Sequence, residues 1–572
     1  MNTLYIIKLL FLHMLILNHL LIYSQLLLIC LFISLNGFLF KKIILNFNDN
    51  KNFEENSLFG FLLIGFIALF INFFYPLSLF LNNIFFLLMV YYAFKLGFFN
   101  QNKKNLLKKA IYVSSFSYFL FIYSNVNTPD ALLYHLPYSR LINEHKIIIG
   151  ASNINFSFGH ISIFQYISSI FNNSLLGKNG VLLPAAILVS NFLFYCFRLF
   201  INDFKKDTSR IKSYFIFLIL IISLYSFSRY SGYGNDAQAH IYYFLTIIYL
   251  LEYFLLAKTF LNFQKILVLS FFLFLLKPFY IICISIPILI YLIEMRKYMI
   301  FKSKFFIFIL SFFFLWLLKT FLTTGCIIYP LKFTCYKDVV WFDSKVNNVS
   351  IQGEAWAKGW PQNKDKTLNQ KDYIKKFNWF EPWSRVHFKL ILEKLLPVLI
   401  FMVFNFLFFY FTKCLKKNYN YKNKSFFILF FLINFLFVII WFLKIPLFRQ
   451  GLSFIYIFIL FFTYFIFIKN INFKKVKKFY NVFIFCIIFF FLGVVFKNLY
   501  RISSDFNQSI SPMIYNNFNI NTSIKAFNTD NEFTHYQLVN NISCGFSISP
   551  CTHFKINVKK KYFLGYLVYI KF

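Results

Sequence analysis

Apolar runs of about 18 to 25 residues recur along nearly the whole chain, and each is long enough to cross roughly 30 Å of hydrocarbon. The runs are continuous. An outer-membrane barrel would instead show segments of about ten residues alternating apolar and polar, so that class is excluded. The pattern predicts an all-α polytopic membrane protein with about 13 transmembrane helices. The first is expected near 19–40, preceded by a second span or an interfacial helix over 1–18. Residues 1–40 lack a convincing small-residue cleavage site, so no cleaved signal peptide is expected.

Between the runs, basic residues fall into a regular set. Lys41-Lys42, "KKNLLKK" at 103–109, "KKDTSRIK" at 205–212, Lys258 to Lys265, "MRKYMIFKSK" at 295–304, "KCLKKNYNYKNK" at 413–424 and "KNINFKKVKK" at 469–478 occupy every second connection. Short Lys/Arg-rich connections remain in the cytoplasm. The other side then receives the first outer loop 126–178, the turn 228–236, the loop 324–387, the link 444–450 and the tail. Two parts follow: a transmembrane domain over 1–497 and a small periplasmic segment over 498–572. The end of the tail alternates enough to suggest one or two short strands.

Composition then removes one partner class. A net charge of +38 on 572 residues invites a nucleic-acid reading, but the basic residues are not gathered on one soluble domain. No nucleic acid is expected; the lipid bilayer is. The 90 Phe residues suit lipid-facing positions of an AT-rich coding sequence and carry little functional information. Cysteines add a compartment. Cys326 and Cys335 share one outer loop, and Cys544 and Cys551 share the tail, which fits two disulfides in an oxidising periplasm. A metal reading of "CGFSISPCTH", with His553 as a further ligand, is disfavoured because C-x6-C is wide for a zinc knuckle.

The candidate chemistry starts at "NTPDALLYHLPYSRL", residues 127–141. Thr128 can cap a helix whose first turn holds Pro129 and Asp130. On a helix Asp130, Tyr134, Tyr138 and Leu141 share one face, as expected of an amphipathic helix on the membrane surface. A second such segment follows at 155–171, so two surface helices would roof a membrane-embedded site. Arg449 in "KIPLFRQG" suits a phosphate, because guanidinium grips it in bidentate fashion; lipid-headgroup contact is the alternative. Lys277, at the Pro break of "LLKPFY", needs an anionic partner or snorkels to the surface. Tyr134, His135 and Asp236 lie on the same outer side. The Trp residues of 354–362 and 378–385 suit an interfacial belt, or stacking on sugar rings.

An acid just outside an early transmembrane helix, an aromatic residue about four positions on, and two surface helices resemble the GT-C integral-membrane glycosyltransferases. The arrangement covers about residues 110–330 and is also similar to uncharacterised bacterial multi-pass proteins grouped with them. The resemblance implies a GT-C-like fold and transfer of a sugar from a polyprenyl-phosphate donor to an envelope glycan, lipid or protein acceptor. It implies an inner-membrane location with the active face periplasmic. Asp130 matches the first-loop acid that orients or deprotonates the acceptor. No cofactor is certain. Many members carry two acids where this chain reads Pro-Asp-Ala, which leaves a divalent metal open. Arg449, Lys277, Asp236, Tyr134 and His135 would bind substrate. Two other classes stay in view: a polysaccharide or lipid transporter or flippase without catalysis, and an O-antigen polymerase or ligase type of enzyme.

Overall fold

The computed structural model describes residues 2–47, 52–100, 103–122, 130–205, 210–227, 233–296, 303–363, 367–415, 424–506, 524–529, 533–538, 544–546, 549–551 and 558–571. The Thr128 cap, His553 and much of the basic loops at 206–209, 297–302 and 416–423 lie outside them.

Helices dominate because the apolar runs contain few breakers. Among the described residues nine helices are long and apolar enough to cross a membrane: His19–Ile43, Phe53–Phe74, Leu183–Phe204, Pro278–Met295, Lys304–Thr324, Phe380–Phe411, Ser425–Lys444, Phe448–Ile466 and Lys477–Tyr500. Shorter apolar helices cover Leu79–Lys95, Ile211–Ser226 and Phe260–Leu276. The chain is therefore a multi-pass α-helical membrane protein. At the N-terminus one helix runs unbroken over Asn2–Ile43, where a separate leading element was expected. No proline interrupts that stretch, and its first glycine is Gly37.

Gly37 belongs to the tightest helix crossing. A Cβ there would meet the Asn56 carbonyl oxygen at 1.6 Å, and one at Gly60 would meet that of Ile33 at 2.0 Å. Small residues allow this backbone approach in membranes. Beside the crossing, Lys41 and Lys265 bracket the buried Glu55 at 2.9 Å and 2.7 Å, and the Tyr249 hydroxyl donates to it at 2.7 Å. Arg198 reaches Glu54 at 2.6 Å. Acids at the start of Phe53–Phe74 are thus held by cations from the ends of its neighbours.

The connection after the fourth helix, Lys103–Ile122, departs from expectation. A π-turn, Ala131–His135, leads into the helix Leu136–Glu144. The second segment divides into a 3-10 turn, Phe156–His160, and a short helix, Ile163–Ser169. All seven residues of that helix are buried. A Cβ on Gly65 would stand 3.1 Å from Ile163 and 3.2 Å from Ile167. The segment is a wedge packed into the bundle, where a surface roof was expected. Its polar stripe of Ser162, Gln165 and Ser169 is satisfied internally, so burial does not strand it.

Two antiparallel hairpins close the chain, Ile524–Thr529 with Phe533–Leu538 and Val558–Phe563 with Tyr566–Lys571. Cys326 is bridged to Cys335 and Cys544 to Cys551.

Candidate functional site

At the end of the bundle opposite Glu55, four charged side chains meet from four separate segments. Helix Asp236–Leu255 links the two ends: it begins at Asp236 and brings Tyr249 to Glu55. The next helix likewise carries Lys265 to Glu55 and delivers Lys277 to Asp236.

Each member has a local reason for its place. Asp130 leads the π-turn. Asp236 is the first helical residue, where the helix dipole favours an acid. Lys277 is extended, at φ −156° and ψ 113°, because Pro278 disfavours helical backbone before it. The chain reverses there, so Lys277 sits at a hairpin tip. Arg449 stands in the first turn of Phe448–Ile466, and the link before it is pinned by two indoles. Trp383 donates to the Pro446 carbonyl and Trp441 to that of Leu447, each at 2.8 Å. His240 donates from Nε2 to the Arg449 carbonyl at 2.8 Å, leaving Nδ1 to accept from Ser453 or Tyr280 at 3.0 Å.

Arg449 Nη1 donates to Asp130 Oδ2 at 3.0 Å, and its Nε lies 4.0 Å from Asp236 Oδ2. Lys277 pairs with the other oxygen of Asp236. The cluster is therefore a neutral chain, Asp130–Arg449–Asp236–Lys277. Its Asp130–Arg449 pair is open to solvent, with Arg449 49% exposed and Asp130 36%, while Lys277 is enclosed at 18%. Such pairs contribute only about 0–1 kcal/mol, so an incoming anion can exchange with a carboxylate on Arg449.

Tyr134 flanks the pair, half-buried, and burial together with Asp130 raises its hydroxyl pKa. His135 lies beneath the cluster and does not open to it. It is 4% exposed, and Gln165 donates to its Nδ1 at 2.9 Å. Burial pushes this imidazole down to about 3, against a smaller opposing pull from Asp236. Its place is that of a neutral support. Among the described residues no group of three or more His, Cys, Asp or Glu side chains suits a metal ion. Asp130 and Asp236 are each met by a side-chain cation instead.

Trp356 is brought into the site by the large loop. Its exposed indole lies over Arg449, 5.9 Å from ring centroid to guanidinium carbon. The disulfide-closed tail folds over the same end: Gly545 donates to the Leu132 carbonyl at 2.9 Å and Ser549 to Glu144 at 3.1 Å.

Sequence reasoning missed Lys319. It is wholly buried beside Trp316, Tyr138 and Tyr166, at 4.4, 5.6 and 5.9 Å from the ring centroids. The signal was present: a single cation inside the apolar run "FLWLLKTFL".

A helical membrane bundle with a cluster of two acids and two cations at one end defines the class. Over residues 19–456 the chain matches, and belongs to, a family described as a domain of unknown function (DUF8201). No curated protein and no solved structure matches it.

Proposed function

We propose that the chain is a GT-C-like glycosyltransferase with about 13 spans, transferring a sugar from a polyprenyl-phosphate donor at the end where Asp130 and Arg449 meet. The carrying observation is that convergence, 319 positions apart in sequence. In this reading the site faces the periplasm, supported by Lys41 and Lys265 lying at the opposite end, beside Glu55, as the positive-inside rule expects of the cytoplasmic end.

In this reading the donor phosphate takes Arg449 and Lys277, and Asp130 is released from its ion pair. The freed carboxylate accepts the proton of the acceptor hydroxyl as that oxygen bonds to the anomeric carbon. The electron pair of the broken sugar–oxygen bond leaves on the phosphate, whose charge the two cations stabilise. Asp236 keeps both cations in place.

Purified protein incubated with radiolabelled polyprenyl-phosphate sugars and envelope extracts tests this. Label moving to an acceptor supports transfer. Label carried across a proteoliposome membrane with the donor intact would instead support the flippase reading.

A further inference from the structure

We propose that the hairpin Val558–Lys571 is a membrane anchor whose tip enters a phospholipid bilayer at the headgroup level. The inference stands apart from the chemistry at Asp130.

The tip is built against ordinary preference. Phe563 pairs with Tyr566, so Leu564 and Gly565 form a two-residue loop, with φ of +48° and +75°. A turn needing positive φ at both central positions favours Asn-Gly or Asp-Gly. Leucine there is sterically disfavoured, and its side chain is 81% exposed. Tyr562 and Phe563, beside it, are also exposed. In water this arrangement is unfavourable twice over, in backbone and in hydration. Strain at an exposed apolar tip points to a surface that covers it.

The fold says which surface. The Tyr566 hydroxyl donates to the Phe73 carbonyl at 2.7 Å, at the end of the spanning helix Phe53–Phe74. Ile149 exchanges backbone bonds with Leu567 and Tyr569, each at 2.9 Å, and Gly150 donates to the Leu322 carbonyl of the spanning helix Lys304–Thr324. The hairpin is thus fastened where two spanning helices leave the hydrocarbon. Phe74 and Tyr75, which follow Phe73 in the chain, are exposed apolar side chains at that point. "KKKYF" adds three lysines directly before the tip, and the Lys560 ammonium lies 5.2 Å from the Tyr562 ring centroid. Aromatic rings with neighbouring lysines suit the layer where acyl chains meet lipid phosphate.

The test uses the full chain in phospholipid bilayers, with a spin label on Leu564→Cys. Cys486→Ala removes the half-exposed thiol; the other free cysteines are buried. Collision with a water-soluble nickel chelate should be restricted, relative to collision with oxygen, compared with the same spin label free in water. Free access of the chelate overturns the proposal. A second chain carries the label on Phe563→Cys together with Leu564→Asn, since Asn accepts positive φ and keeps the turn. Unchanged resistance of the tail to limited proteolysis shows that it is folded. The label should then become more accessible to the chelate; unchanged immersion would remove Leu564 as the anchor.

Discussion

Arg449 donates to Asp130 across a 3.0 Å ion pair, so the acid proposed as base and the cation proposed for phosphate hold each other in the unliganded protein. In the proposed mechanism the two roles are therefore sequential, with donor binding opening the pair. Asp130→Asn keeps shape and should lower transfer by about 10² to 10⁴-fold. Arg449→Lys keeps charge but loses the planar fork, so donor KM should rise. The double variant should fall short of the product of the single effects, because Asp130→Asn already removes the carboxylate that position 449 holds. Kinetics on the four proteins, with monodispersity in detergent as the folding control, decides. Full transfer by Asp130→Asn would leave the acid a helix-terminal group only.

Glu55 offers a stability prediction at the other end. It is buried between Lys41 and Lys265, so Glu55→Ala strands two cations away from water. Breaking a buried pair in this way costs about 3–5 kcal/mol. A large drop in thermal midpoint in detergent is expected, with a smaller one for Lys109→Ala, whose contact with Glu54 is 3.9 Å and partly exposed. Equal drops would mean that burial does not set the cost.

The helices were legible because membrane crossing needs long apolar runs, a local property of sequence. So were Asp130, Asp236, Lys277 and Arg449 as candidates, since ionisable groups at membrane ends stand out against apolar neighbours. Their pairing was not legible. It depends on how far Lys277 is carried by a hairpin and where Pro446 is pinned by Trp383, both tertiary facts. The wedge at 163–169 is hidden in the sequence for a related reason: Gln165 looks solvent-facing until His135 accepts its hydrogen bond. Lys319 carries the same local signal, a cation inside an apolar run, but two of the rings around it, Tyr138 and Tyr166, come from distant sequence.

His135 makes the fold sensitive to acid. Its folded pKa is depressed to about 3 from 6.5. Between those values the unfolded chain binds a proton that the folded chain does not, so stability falls as pH drops through that window. The slope approaches about 1.4 kcal/mol per pH unit once the unfolded imidazole is protonated. Thermal midpoints from pH 7 to pH 4 should decline less for His135→Gln than for the unaltered chain. Parallel curves would show that other groups govern the acid limb.

Trp356 ties the large loop to the site. Its indole faces the Arg449 guanidinium, and the helix carrying it, Val346–Ala357, is steadied by Lys358 on Glu354 at 2.6 Å and by Tyr373 donating to the Lys358 carbonyl at 2.8 Å. An exposed cation–π contact is worth about 0.5–1 kcal/mol, so its loss alone changes Arg449 little. A sugar ring stacked on the same indole adds to that. Trp356→Phe retains an aromatic face and Trp356→Ala removes it. If the indole holds the donor sugar beside Arg449, Trp356→Ala should raise donor KM at least about five-fold, the upper bound for the cation–π loss alone. Trp356→Phe should lie between it and the unaltered chain, with kcat little changed in both. A fall in kcat at constant KM would assign Trp356 to holding Arg449 in place for the transition state, and identical kinetics in all three would leave it an interfacial residue.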